Sequence, residues 1–176
     1  KALLALMCFQ SSRLDARLDH YNIIILLKHQ DRRKWNRSMM RKGFELMEES
    51  TEPFEVTAYH LEAAIASQHA SARTFEQTDW KSIYHLYEML YQLQPNPVVA
   101  MNKAIASSYA ISKQNALKEL QQIKGLEDHH VYYASIAEVY FDLDNKEEAK
   151  KYFTKALELT SSSFDQQLLM NKINSC

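Results

Sequence analysis

Apolar residues in this 176-residue chain come in helix-length blocks broken by short polar clusters. Residues 2–13 are apolar almost all round, which predicts a helix buried on more than one side. Residues 14–30 are ambiguous. A polar stretch, Asp15–Asp19, precedes the run Ile23–Leu27, and an extended segment and a helix both fit that pattern. Asp31 reads as the N-cap of a helix to about Ser50, with Trp35, Met39, Phe44, Leu46 and Met47 as its apolar face. Pro53 suits a first helical position, and Phe54 to about Phe75 continues as a long helix with alanines at 58, 63, 64, 66 and 70. Thr78-Asp79 caps a helix from Trp80 to about Leu93. Asn96 and Pro97 then start another, to Ile111. Helices from Ser112 to Lys124, His130 to Asp142, Lys146 to Thr160 and Phe164 to Ile173 complete the series. Gly125 is expected as a left-handed cap, and Asp144 with Glu147 as a capping box.

The last third of the chain carries a repeat. Counting from Tyr133, residues Ile136, Ala137, Tyr140, Ala149, Phe153 and Ala156 fall at the offsets of the tetratricopeptide motif, a helix–turn–helix of about 34 residues. Ala116, Leu120 and Ile123 precede Ala149, Phe153 and Ala156 by 33 residues each, and Ile83, Tyr87, Leu90 and Pro95 fit an earlier copy. Two to three degenerate repeats are therefore expected. About three are needed for such an array to stand alone, so the N-terminal helices and the last helix are expected to act as caps on one core. The expected fold is all-α: a right-handed superhelical array of antiparallel helix pairs. An N-terminal helical cap, 1–52, precedes the repeats with their capping helix, 53–176.

Composition narrows this further. Two glycines and three prolines cannot furnish many hairpin turns, which favours helices joined by short polar loops. A net charge of −1 does not call for a nucleic acid held by bulk electrostatics. The two cysteines, Cys8 in an apolar run and Cys176 at the end, make neither a disulfide framework nor a metal site, and the chain reads as cytoplasmic. The runs Ala2–Phe9 and Ile23–Leu27 are too short to span a membrane. The chain opens at Lys1 within an apolar helix, which leads us to expect a piece of a longer protein.

Little in the sequence looks catalytic. Seven histidines form no ligand spacing, two glycines cannot build a phosphate loop, and neither cysteine sits in a nucleophile's setting. No catalytic residue, metal ligand or cofactor is assigned, and the chain is expected not to be an enzyme. His69, on an alanine-rich helix, is expected to be a hydrogen-bonded core residue. Lys28 to Lys42 carries seven cations against Asp31 alone. Arg33, Arg37 and Arg41 are spaced to share a helix face, where like charges cost a few tenths of a kcal/mol, roughly, per pair. Pairing with Glu45, Glu48 and Glu49 together with solvation is one way to offset that cost; an acidic partner surface or a nucleic-acid backbone is the other. In repeat register, Lys103, Ser107, Glu138, Phe141 and Asp142 are expected to line a concave groove of mixed charge.

The segment Gln30-Asp31-Arg32-Arg33-Lys34-Trp35, with Leu3–Met7 and Ser12-Arg13 before it, resembles the C-terminal extension of bacterial extracytoplasmic-function RNA polymerase sigma factors that carry a tetratricopeptide-like domain. The resemblance continues through Ala63–Ala66 with His69, Thr78-Asp79-Trp80, and Pro97–Ala104, and so covers essentially the whole chain. Arg33-Lys34 adds basic charge beside that signal, and the loop before Ala116 is short. The resemblance implies a protein that directs RNA polymerase core to promoters. Its promoter DNA would be read by sigma domains upstream of this chain. This part would be a noncatalytic regulatory and protein-interaction domain whose partners are those sigma domains and, through the full-length protein, the polymerase. No membrane partner is implied. Arg13, Gln30, Asp31, Arg32, Arg33, Trp35, Arg37 and Arg41 are the candidate contact residues, either as a structural latch or as a docking face. The alternative is a free-standing tetratricopeptide adaptor that binds a peptide in its groove.

Overall fold

The computed structural model describes residues 1–20, 23–50 and 55–176. Among these the chain is all-α, with α1 (Ala2–Ser12), α2 (Arg37–Glu48), α3 (Ala58–Ser71), α4 (Trp80–Leu93), α5 (Pro97–Ala110), α6 (Lys113–Gln121), α7 (His130–Asp142), α8 (Lys146–Glu158) and α9 (Ser163–Ser175). The described residues of the ambiguous 14–30 region form neither a strand nor a long helix. Two single 3-10 turns, Leu14–Ala16 and Leu27–His29, flank an isolated antiparallel bridge between Leu18 and Ile24. The chain divides into two compact units, 1–94 and 95–176. Helix α3, assigned from sequence to the second part of the chain, packs on α1 and α2 in the first unit, with α4 against it.

In the first unit α1 lies against both α2 and α3 and buries Ala2, Ala5, Cys8, Phe9 and Ser12. Small residues allow the close approach. Gly43 of α2 faces the Phe9 ring so tightly that an added Cβ would lie 2.7 Å from Phe9 Cε1. Phe44 meets Phe9 edge-on, with centroids 5.0 Å apart. The outer face of α1 is not buried: Leu3, Leu4 and Met7 are 45%, 50% and 55% exposed.

Helix α2 starts later than its expected cap. Asp31 accepts from the Arg33 N–H and closes only a 3-10 turn, Arg32–Lys34. Trp35 is then extended and buries its ring, and Asn36 caps α2 by accepting from the N–H groups of Ser38 and Met39. The later start moves the buried face to Met40, Gly43 and Leu46 and leaves Met39 exposed. Helix α3 likewise begins at Ala58, behind Thr57, whose backbone N–H donates to His60 Nδ1. It ends at Ser71 and not near Phe75. The expected start at Pro53 and Phe54 lies outside the described residues. Asp79 caps α4 as expected, accepting from Ser82 N–H, and Ile83 and Leu90 are its buried residues.

In the second unit the helices pack in succession, α5 on α6, α6 on α7, α7 on α8 and α8 on α9, with α5 also touching α7. Asn96 caps α5, with Pro97 in its first turn, as the sequence predicts. Helix α6 ends at Gln121, because Gln122 and Ile123 already turn by donating to Glu119 O and Leu120 O. Gly125, at φ +87°, is left-handed but lies beyond that cap.

The motif residues Ile136, Ala137, Ala149, Phe153 and Ala156 are all buried between α7 and α8. The turn between these helices differs from the expected capping box. Asp144, at φ +58°, closes α7: its N–H donates to Phe141 O, and the Asn145 N–H donates to Tyr140 O. That is a Schellman closure with aspartate in the left-handed position usually given to glycine. Asp144 is thereby used up, and Asn145 caps α8 by accepting from Glu148 N–H. Helix α9 covers the end of the array with Leu169 buried in the same core.

Candidate functional site

The Gln30–Trp35 signal is an inward knot with a charged rim. The 3-10 turn sends consecutive arginines to opposite sides. Arg32 is 7% exposed. Its Nη1 donates to His69 O and, at 3.1 Å, to Ala72 O, the open carbonyls at the end of α3, and its Nη2 donates to Thr78 Oγ1 at 2.9 Å. The guanidinium groups of Arg32 and Arg13 both lie on the Trp35 ring, 5.1 and 5.3 Å from its centroid. Arg13 Nε donates to Gln30 Oε1, Gln30 Nε2 donates to Ile25 O, and the Asn36 N–H donates to Ser12 O. Arg13, Gln30, Arg32 and Trp35 are thus brought together, and they tie α1, the 30–36 segment and the end of α3 to one another.

Arg33 points outward and forks onto the Asp31 carboxylate at 2.9 Å, which pushes the Asp31 carboxyl down to about 2. Arg37 and Arg41 are exposed on α2. The expected three-arginine helix face is therefore two arginines, because Arg33 precedes the helix cap. Of the acids expected to compensate, Glu45 pairs with Lys42 at 3.3 Å and Glu49 with Lys1 at 3.4 Å.

His69 is a core residue, its ring edge-on to Trp80 at 5.3 Å. Its hydrogen bond runs through its backbone carbonyl, and Nδ1 has no partner among the described residues. Burial first, then the Arg32 and Arg13 charges, lower its pKa to about 4, so the imidazole is neutral.

The expected groove residues lie on α5 and α7 but do not form one open surface. Ser107 is fully buried, its Oγ accepting from Asn115 Nδ2 at 2.8 Å, because a small side chain suits the α5–α6 contact. Lys103 pairs with Glu119 at 3.4 Å, Asp142 with Lys113, and Glu138 with Lys172 at 2.7 Å. Lys172 also lies over the Phe141 ring and Lys113 over Tyr109. Burial and then the Asp142 and Glu138 charges push the Tyr109 hydroxyl up to about 12. Lys113 and Lys172 were not among the candidates; they sit on neighbouring helices, and only the packing reveals them as partners. Among the described residues no cluster of three or more His, Cys, Asp or Glu could hold a metal, and no helix is long and apolar enough to cross a membrane.

These features define an all-α domain with a tetratricopeptide-like helical repeat. Residues 130–163 match the tetratricopeptide repeat family. Residues 1–51 match a family of unknown function, DUF6596. The chain is similar to an uncharacterized protein of Rhizobium meliloti, 34% identical over 162 residues, which covers 92% of this chain and 38% of that protein. The chain therefore spans well under half the length of that relative. No solved structure matches significantly.

Proposed function

We propose that this chain is the noncatalytic regulatory and protein-interaction domain of a sigma factor, contacting the sigma domains of the same polypeptide. The observation that carries the reading is the outer face of α1. Leu3, Leu4 and Met7 are all close to half exposed on a helix whose other sides are buried. An apolar patch of this kind marks a surface that another protein segment covers. The longer R. meliloti relative is consistent with such a segment. The buried Arg32–Trp35 knot supports the latch role for the signal, with Arg33, Arg37 and Arg41 left for contact.

Run-off transcription by core polymerase with the longer protein tests this, with and without residues 1–176 and with Met7→Glu. Removal is expected to abolish or unleash promoter-specific transcription, with Met7→Glu changing it in the same direction. Unchanged transcription would refute the reading. The free-standing adaptor is the second reading. It is favoured by the tetratricopeptide match, but the acids of its groove are already paired within the chain.

A further inference from the structure

The segment after α1 folds back on itself and leaves a hollow. The Ile25 N–H donates to Arg17 O at 2.8 Å and the Asp19 N–H to Ile23 O at 3.0 Å, which holds the Leu18–Ile24 bridge in place. Beside the bridge lies a cavity of about 470 Å³. Leu18, Ile24 and Leu27 stand for its apolar walls, and Arg13, Arg17 and Gln30 supply its polar lining. This is the size and make-up of a small-molecule site: mostly apolar, with a few placed polar groups.

Among the described residues no anion pairs with the cations at this hollow. Arg13 donates to Gln30 Oε1 at 3.3 Å and Arg17 to Gln10 Oε1 at 3.1 Å, both neutral amides. Neither forms an ion pair among the described residues. Asp19, on the same segment, accepts from the Ile23 N–H. Burial, Arg17 and Arg32 together pull the Arg13 pKa down to about 10, as expected of crowded cations without a counter-charge. A guanidinium fork binds a carboxylate through two parallel hydrogen bonds, which an amide oxygen does not match.

We propose that this hollow binds a small amphipathic carboxylate, its aliphatic chain against Leu18, Ile24 and Leu27 and its head group on Arg13 and Arg17. The ligand is a single aliphatic chain and not a protein segment, because the hollow is of small-molecule size, its lining is mostly apolar, and its charged groups are the cations Arg13 and Arg17. The site is independent of the promoter-directing role and stands or falls without it.

The test is isothermal titration calorimetry of the 176-residue chain with octanoate, decanoate and dodecanoate, each below its micelle concentration, and with decanol. The expected result is one saturable site whose affinity rises about fourfold per added methylene. Decanol, and decanoate on Arg17→Gln, should bind roughly tenfold or more weakly, since a charge-assisted fork is lost. Lys150→Gln, the same charge change on exposed α8, should bind decanoate like the parent chain. Absence of saturable heat with all three carboxylates would overturn the proposal. So would equal binding of decanol and decanoate, which marks surfactant-like adsorption.

Discussion

Replacing Arg32 with alanine should unfold the first unit far more readily than any change at Arg33. Arg32 is 7% exposed and gives charged donors to three acceptors: His69 O, Ala72 O and Thr78 Oγ1. Hydrogen bonds from charged groups are each worth about 1.5–3 kcal/mol, and a buried acceptor left unpaired costs about 1–3 kcal/mol. The three share one side chain and do not add in full, so a loss of roughly 3–5 kcal/mol is expected, including the stacking on Trp35. Arg32→Lys keeps the charge, but a single ammonium cannot span the end of α3 and Thr78 together; it should lose about half as much. Both tryptophans, Trp35 and Trp80, lie in the first unit, so tryptophan fluorescence during urea unfolding reports that unit alone. With a urea dependence of about 2 kcal/mol per molar, the alanine variant should move the midpoint down by roughly 2 M. A shift below about 0.5 M would refute the view that Arg32 is the latch between the 30–36 segment and α3.

Three further outcomes follow from the packing. Gly43→Ala usually stabilises a helix by about 1 kcal/mol, but here the new methyl meets the Phe9 ring at 2.7 Å, and a net loss of about 1–2 kcal/mol is expected in the same urea assay. Asp144→Gly relieves a left-handed residue at φ +58° and should stabilise the second unit by about 0.5–1 kcal/mol, seen as a higher thermal midpoint by circular dichroism. His69 has its pKa lowered to about 4, so the unfolded chain takes up a proton below its ordinary 6.5 that the folded chain refuses until about 4. Its stability contribution is full above pH 6.5 and falls by on the order of 3 kcal/mol as pH drops to 4; His69→Leu should flatten that slope.

Much of the architecture is legible in the sequence where local signals and packing agree. Asn96-Pro97 and Thr78-Asp79 start their helices as expected because cap and first turn are set by adjacent residues. Of the tetratricopeptide positions, Ile136, Ala137, Ala149, Phe153 and Ala156 are buried as expected, the alanines letting α7 and α8 approach closely, while Tyr140 is half-buried. The departures from expectation share a cause: a residue able to play one local role plays another. Asp31 caps a 3-10 turn because the burial of Trp35 interrupts the helix after it. Asp144 closes one helix and so cannot open the next. The described residues of 14–30 leave no periodic trace, because their order comes from two short 3-10 turns, one bridge and Gln30 reaching Ile25 O. The candidate groove suffered similarly. Charge along the chain says nothing of which lysine on a neighbouring helix answers which acid.

The crossed pairs Lys113–Asp142, Lys172–Glu138 and Lys103–Glu119 give the second unit a surface that already satisfies itself. A charged partner arriving there exchanges contacts and does not add them: each new pair it forms frees an ion the protein already held. Association on that surface should therefore depend weakly on ionic strength and discriminate among partners by shape and by where their charges fall. Net charge alone would recruit nothing.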